Sequence, residues 1–160
     1  MMFSTKAEYG IRVMAHLASR SEGDGRAGPV SLHAIAEAEG LPQAYLEHLA
    51  ARLRKAELVQ SHRGARGGYT LARPAEAITM AEVVRALEGD IAPIECITSD
   101  ADGGLTCVRE GDASHQPCPS KLLWTRVQGS IVRTLTDMTL ADLARPAPVP
   151  IPNQTETVNA

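Results

Sequence analysis

Aromatic residues are scarce in this sequence of 160 residues, since one tryptophan, three tyrosines and one phenylalanine make up only 3% of it. Apolar residues nevertheless reach 44%, so a core must be built mainly from leucine, isoleucine, valine and alanine. Apolar runs long enough to cross a membrane are lacking, and we expect no membrane-spanning helix. The length fits one compact domain, or a small domain with an appended element.

A secretory signal and the common catalytic motifs are missing as well. The apolar positions near the start of the chain are interrupted by Lys6, Glu8, Arg12 and His16. We therefore expect a cytoplasmic protein. No Ser-His-Asp arrangement, phosphate-binding loop or paired-carboxylate motif appears in the sequence, so we predict no enzymatic activity.

All three cysteines lie in one segment that is poor in apolar residues. Cys96, Cys107 and Cys118 are each separated by ten residues within PIECITSDADGGLTCVREGDASHQPCPSK. An odd number of thiols in a reducing compartment does not predict a disulfide framework. Metal binding, redox sensing or no chemical role remain as interpretations of these thiols.

The net charge of −3 is unevenly distributed along the chain. Residues 42–73 contain six basic residues against two acidic ones, a local charge of +4, which leaves −7 for the rest. A basic surface on an acidic protein is what phosphate contact by one face requires. A solvated, salt-bridged helix is the alternative interpretation.

The first part of the chain predicts three helices. The first runs from Ser4, an N-cap residue, to Ser19, because apolar residues recur at the spacing of one helix face: Ala7, Ile11, Met14 and Ala18. Ser31 caps a second helix that ends at Gly40, and Pro42 suits the first turn of a third. Two short helices joined by a glycine-containing turn are typical of a helix-turn-helix, although many helical hairpins bind no DNA.

A β-hairpin is predicted directly after these helices, with strands at residues 58–62 and 69–71. Its turn contains three glycines, and Arg63 and Arg66 lie at its tip. Because it follows a helix-turn-helix, we interpret it as a wing that reaches a DNA groove or the phosphates, rather than as an ordinary hairpin.

Two further helices are predicted beyond the wing. Thr79 and Glu82 form a capping box for one that stops at Gly89. The other begins near Pro119 and has an apolar stripe at Trp124, Val127, Ile131 and Leu135. We expect this stripe to pack against a second subunit, with packing on its own domain as the alternative. The proline-rich residues from Arg145 onward predict an extended, disordered tail.

Together these segments resemble one family, the iron–sulfur transcriptional regulators typified by IscR and NsrR. The resemblance covers roughly residues 2–143 and rests on FSTKAEYGIRVMAHLA, IAEAEGLPQAYLEHLAARLRKAELVQS, RGARGGYTLARP, ITMAEVVRALEG, the three-cysteine loop and LLWTRVQGSIVRTLTDMTLADL. It implies a homodimeric winged-helix protein that binds a palindromic operator in double-stranded DNA. It also implies that Cys96, Cys107 and Cys118 hold a [2Fe–2S] or [4Fe–4S] cluster whose state sets DNA affinity.

The chemistry of the cysteines agrees with this implication. Thiolates are the ligands of iron–sulfur clusters, and a loop with little regular structure could wrap around a cluster that replaces the missing apolar core. Zinc sites normally show paired ligands two to four residues apart, which this spacing lacks. Zinc or another metal, and bare redox thiols, remain as alternatives.

The resemblance leaves the fourth cluster ligand open. IscR-like members have a histidine three residues after the last cysteine, where this chain has Lys121. Other members use an acidic residue near the N-terminus of the partner subunit, the position of Glu8, or a residue late in the first helix of the helix-turn-helix, the position of Glu39. His115 lies within the loop itself. We rank Glu8 first.

The resemblance also assigns the DNA contacts. The residues that would reach base edges open the third helix: Gln43, Ala44, Tyr45 and Glu47. Arg63 matches a groove-contacting arginine of the wing, with Arg66 beside it. Candidates for phosphate contact, or for surface charge alone, follow in the third helix: Arg52, Arg54 and Lys55.

We therefore predict a mainly α-helical fold with a small β-hairpin wing, that is, a winged helix-turn-helix plus a long C-terminal dimerisation helix. Residues 1–77 would bind DNA, residues 78–145 would hold the cluster and dimerise, and residues 146–160 would form the tail. The predicted function is a dimeric transcriptional regulator, a repressor, whose cluster senses redox state, nitric oxide or iron–sulfur status. The alternatives are a winged-helix regulator without a cluster and a small iron–sulfur or redox assembly protein.

Overall fold

The computed structural model describes residues 4–22, 28–64, 66–92, 94, 97–99, 105–107 and 119–144. Its elements, in chain order, are α1 (Thr5–Glu22), α2 (Leu32–Glu39), α3 (Gln43–Lys55), β1 (Val59–His62), β2 (Gly68–Leu71), α4 (Met80–Glu88), β3 (Ile97–Ser99), β4 (Leu105–Cys107), α5 (Lys121–Asp137) and α6 (Leu140–Ala144). A short 3₁₀ turn at Ala75–Ala77 joins β2 to α4. The mainly helical architecture with one hairpin wing is the predicted one.

Helix α1 begins where the sequence predicts and ends three residues later than expected. The Lys6 N–H donates to Ser4 Oγ at 3.1 Å, so Ser4 acts as the cap. Ala7, Met14 and Ala18 are buried as predicted. Gly10 is also essential to this packing, because a Cβ there would overlap the buried side chain of Leu87 in α4. The absence of a side chain thus lets α1 and α4 approach closely.

Helices α2 and α3 form the predicted helix-turn-helix. Ser31 Oγ accepts a hydrogen bond from the Ala34 N–H at 3.1 Å and caps α2. Gly40, with φ 63° and ψ 38°, ends α2 in the left-handed conformation that glycine favours. Pro42 lies one residue before α3, as its N-cap. The buried stripe of α3 consists of Leu46, Leu49, Ala50 and Leu53.

The wing is an antiparallel hairpin in which Val59 pairs with Leu71 and His62 with Gly68. It is attached to the residues just before α2 by two hydrogen bonds between Val30 and Tyr69, with N···O distances of 3.0 and 2.8 Å. A Cβ at position 68 would overlap the carbonyl group of Val30, so only glycine permits this approach. The attachment fixes the direction of the wing relative to the helix-turn-helix.

The core is formed mainly by aliphatic side chains from α1 to α4, together with α6. The C-terminal segment, predicted as one helix, breaks at Met138 and returns to this core through Leu140, which is fully buried. Two backbone hydrogen bonds hold the return: Leu140 N–H to Ile78 O at 2.8 Å and Met80 N–H to Met138 O at 2.9 Å.

The prediction of little regular structure in the cysteine segment is wrong for part of it. Strands β3 and β4 pair in antiparallel register, with Ile97 opposite Cys107 and Ser99 opposite Leu105. The β-branched residues Ile97, Thr98 and Thr106 favour strands, and pairing satisfies backbone groups that would otherwise need another partner. The predicted tail, residues 146–160, lies outside the described residues.

Glu88, the last residue of α4, joins that helix to the start of α1. Its carboxylate accepts hydrogen bonds from the Ser4 hydroxyl and from the Ser4 N–H at 3.0 Å, and it lies 3.2 Å from Lys6 Nζ. Partial burial alone would raise the pKa of Glu88, but the bonds from Ser4 and Lys6 outweigh it and lower the pKa below its ordinary value of 4.5. The ionised form therefore stabilises the fold.

The substitution Glu88→Gln should destabilise the protein at neutral pH and have progressively less effect in acid. A folded-state pKa below 4.5 means that the stabilisation is present above that pH and is lost as the pH falls through the folded value. Urea unfolding of both proteins between about pH 7 and about pH 3 measures this. Lys6→Met should produce the same trend more weakly, whereas a difference that is constant with pH would contradict the assignment.

Candidate nucleic-acid interface

The outward face of α3 is fixed by the burial of its opposite face. Because the leucine stripe points into the core, the exposed residues of this helix carry most of its polar and charged groups: Gln43, Ala44, Glu47, His48, Ala51, Arg52, Arg54 and Lys55. The N-terminus of α3 follows shortly after Gly40, and the first backbone N–H groups of a helix have no partner within the helix itself. A helix of this kind suits insertion into the major groove.

Gln43, Ala44 and Glu47 are exposed at the start of α3, as base-reading residues must be. Tyr45, the fourth residue assigned to base edges, is half-buried. Its ring packs against Tyr9 of α1 in a T-shaped contact, with ring centroids 5.8 Å apart and planes at 89°. The ring thus helps to seat α3 against α1.

The three basic residues at the end of α3 differ in their surroundings. Arg52 Nη1 donates to the backbone oxygen of Leu87 at 3.2 Å, so this side chain joins α3 to the end of α4. Arg54 and Lys55 are exposed in the last turn, where positive charge complements the helix dipole. All three side chains are exposed in the C-terminal half of α3.

The wing places Arg63 directly before a tight turn and Arg66 within it. The Gly67 N–H donates to Gly64 O at 2.9 Å, and Gly64 has a φ of 112°, which glycine adopts without strain. Both arginine side chains are exposed. The structure therefore presents basic side chains on α3 and on the wing, the two elements that a winged helix uses to contact DNA.

A network at the helix-turn-helix, which the sequence did not reveal, joins α1 to the end of α2. Glu39 accepts from Arg12 Nε at 3.1 Å, and its carboxylate lies 3.1 Å from His16 Nδ1. Arg12 also donates to the backbone oxygen of Glu39. The only signal in the sequence is that Arg12 and His16 lie one turn apart on α1. The network holds the turn that precedes the recognition helix, α3.

Half of the six candidate cluster ligands lie outside the described residues. These are Cys96, Cys118 and His115, and Cys107 is described only as the last residue of β4. Its Cα partner, Ile97, directly follows Cys96 in the chain. Glu8 is exposed on α1, and Lys121 begins α5. Within the described ranges, no group of three or more His, Cys, Asp and Glu side chains is placed to hold a metal ion.

Gln128 is a second residue that the sequence did not single out. It is 1% exposed, and its Nε2 donates to Ile91 O at 2.8 Å, just before the cysteine segment. Its Oε1 has no hydrogen-bond partner among the residues that the structure describes. Gln128 therefore anchors α5 to the residues that follow α4.

A helix-turn-helix followed directly by a hairpin wing defines the winged-helix class of DNA-binding proteins. The chain belongs to the Rrf2 family, whose model is described as an iron-dependent transcriptional regulator and matches residues 3–146. This confirms the family that the sequence motifs indicate, and it makes the protein a DNA-binding transcriptional regulator. None of the described helices is long and apolar enough to cross a membrane.

Individual relatives are similar to this chain over nearly its whole length. The HTH-type transcriptional regulator CymR of Bacillus subtilis is 38% identical over 144 residues, which is 90% of each chain. The solved structure of CymR, the global cysteine regulator of B. subtilis, has a TM-score of 0.70 and 36% identity and covers 90% of this chain and 96% of its own. The structure of IscR from T. potens has a TM-score of 0.67 and 38% identity, covering 89% and 85%.

Proposed function

We propose that this protein is a cytoplasmic, homodimeric repressor whose affinity for a palindromic operator is set by an iron–sulfur cluster. The observation that carries the proposal is the position of the three cysteines in the chain. They lie between α4, which shares its core with α1 and α3, and α5, which begins at Lys121. A group bound there would be connected to both the DNA-reading and the dimerising parts.

DNA binding would use α3 and the wing together. The exposed Gln43, Ala44 and Glu47 would face base edges in the major groove, with the Glu47 carboxylate accepting from a cytosine amine. Arg63 and Arg66 would contact the adjacent groove or phosphates, and Arg54 and Lys55 the phosphates. Tyr45 and Arg52 would act mainly by holding α3 in place, because both contact neighbouring helices.

Dimerisation would use α5. Leu122 and Leu123, near the start of this helix, are 63% and 57% exposed. The predicted stripe, which includes Trp124 and Ile131, is only half-buried against its own chain. Apolar surface of this kind favours a partner, and a symmetric pair of subunits would present two recognition helices to the two halves of a palindrome.

The donor set suits a cluster. Cysteine thiolates are the typical ligands of [2Fe–2S] and [4Fe–4S] centres, and Cys96, Cys107 and Cys118 would supply three of them. When bound, the cluster would make the protein responsive to oxidation, nitric oxide or iron–sulfur supply. The pairing of β3 with β4 supports the fit, because it sets Cys107 opposite the residue that follows Cys96. The family's description as iron-dependent points the same way.

Glu8 of the partner subunit remains the first candidate for the fourth ligand. Among the described residues, its carboxylate has no ion-pair partner, and it is exposed on α1. Glu39 is already bound by Arg12 and His16, so it would have to give up those contacts to reach a metal. His115 lies outside the described residues and remains an alternative.

A cluster-free winged-helix regulator is the second candidate, and the likeness to CymR, described as a global cysteine regulator, favours it. In that case the thiols would respond directly or through another metal. The third interpretation, a small assembly protein, lacks support because the family consists of transcriptional regulators rather than of assembly proteins.

Replacing Arg63 by alanine should weaken DNA binding by about 1–3 kcal/mol. It should also reduce the slope of log affinity against log salt concentration by about one. The loss follows from removing a groove or phosphate contact at the tip of the wing. Fluorescence anisotropy with operator DNA at several salt concentrations measures both effects. Arg85→Ala removes the same charge from an exposed site on α4 and serves as the control. Unchanged affinity and salt dependence in Arg63→Ala would show that the wing assignment is wrong.

Anaerobic reconstitution with iron and sulfide should give a coloured protein with thiolate-to-iron absorption, and Cys107→Ser should retain much less iron. A colourless, iron-free wild type after the same treatment would favour the cluster-free regulator. Glu8→Ala should release the cluster faster than His115→Ala or Glu39→Ala. If His115→Ala or Glu39→Ala has the larger effect, the ranking of the fourth ligand must be reversed.

Leu123→Glu should convert the dimer into a monomer, because it places a charge within the exposed apolar surface of α5. Sedimentation velocity over a range of protein concentrations measures the change. Thr136→Glu adds the same charge at an exposed polar position of the same helix and should remain dimeric. A monomeric wild type, or a dimeric Leu123→Glu, would remove the role assigned to α5.

A further inference from the structure

His33 of α2 contacts the first residue of the recognition helix. Its Nδ1 lies 3.2 Å from Oε1 of Gln43, although ten positions separate the two residues in the sequence. Its other ring nitrogen, Nε2, lies 3.5 Å from the Glu37 carboxylate, one turn further along α2. The helix-turn-helix thus brings an imidazole against an amide that is a candidate for base reading.

The hydrogens of this arrangement restrict the orientation of the Gln43 amide. Oε1 of Gln43 faces Nδ1 of His33, so a hydrogen bond between these two atoms requires a hydrogen on Nδ1, with the ring as the donor. An imidazole with hydrogen on Nδ1 serves Gln43, and an imidazolium serves both neighbours. In either form the amide oxygen faces the histidine, and the amide NH₂ group remains available to face outward.

The orientation matters because the two ends of an amide recognise different bases. A glutamine that offers both its oxygen and its NH₂ group pairs with adenine, which presents a donor and an acceptor in the major groove. A glutamine whose oxygen is turned toward another residue presents mainly its NH₂ donors to the base. Guanine presents two acceptors, N7 and O6, at the same edge, and suits such a group better.

We propose that His33 is a positioning residue that orients the Gln43 amide and thereby makes α3 prefer guanine over adenine at the base that Gln43 contacts. The inference rests on the proposed role of Gln43 as a base reader. In the free protein the contact is exposed and competes with water, so it contributes little to stability. When DNA covers it, the competing water leaves and the orientation decides which base is accepted.

Selection from a pool of double-stranded DNA with randomised half-sites tests the proposal, using the full chain and sequencing the bound fraction. Wild type should show one guanine-preferring position in each half-site. In His33→Ala that preference should fall at least about fivefold, the low end for a good base contact, while the other positions keep theirs. His33→Gln, which retains a donor of similar reach, should restore part of it. Glu37→Gln, which leaves the contact with Gln43 intact, is the control.

A double substitution separates positioning from a direct contact by His33. Gln43→Ala should abolish the same preference, and adding His33→Ala to it should change nothing further. Unaltered base preferences in His33→Ala, or a further change in the double variant, would overturn the proposal. If wild type selects a binding site but Gln43→Ala selects the same bases as wild type, the inference about His33 fails while the proposed operator binding is retained. If wild type selects no sequence at all, the proposed function fails with it.

Discussion

Leu46, Leu49 and Leu53 bury one side of α3, and the rest of the DNA-reading surface depends on that burial. Each fully buried leucine contributes about 1.5–3 kcal/mol relative to an exposed one, whereas an exposed ion pair contributes about 0–1 kcal/mol. The leucines therefore decide how the helix is rotated, and the polar face follows as a consequence. The Tyr9–Tyr45 contact and the bond from Arg52 to α4 then fix the two ends of the helix in that rotation.

Features encoded within a few residues could be predicted from the sequence. Ser31 and Gly40 bound the first helix of the helix-turn-helix as their capping preferences require. Thr79 and Glu82 form the predicted capping box, with both of its hydrogen bonds present. The wing was also predictable, to within one residue at the start of each strand. These signals are local, because the residues involved contact one another across a single turn.

Features that depend on distant parts of the chain could not be predicted. The break before α6 is stabilised by backbone bonds to Ile78 and Met80, about sixty residues earlier in the sequence. The ion pair between Arg12 and Glu39 and the contact between His33 and Gln43 join residues whose proximity only the folded chain creates. The cluster stays a prediction, because its ligands are defined by chemistry and chain position rather than by described contacts.

The return of α6 to the core has a topological consequence for how the two halves of the protein communicate. The core that carries the recognition helix is built from two separate stretches of chain, α1 to α4 and α6. The cysteine segment and α5 lie between these two stretches in the sequence. Gln128 of α5 is hydrogen-bonded to Ile91, where the chain leaves the core, and Leu140 is buried where the chain returns to it. Because α5 is connected to the core at both ends, a rotation of α5 would displace the recognition helix through two attachment points rather than through one.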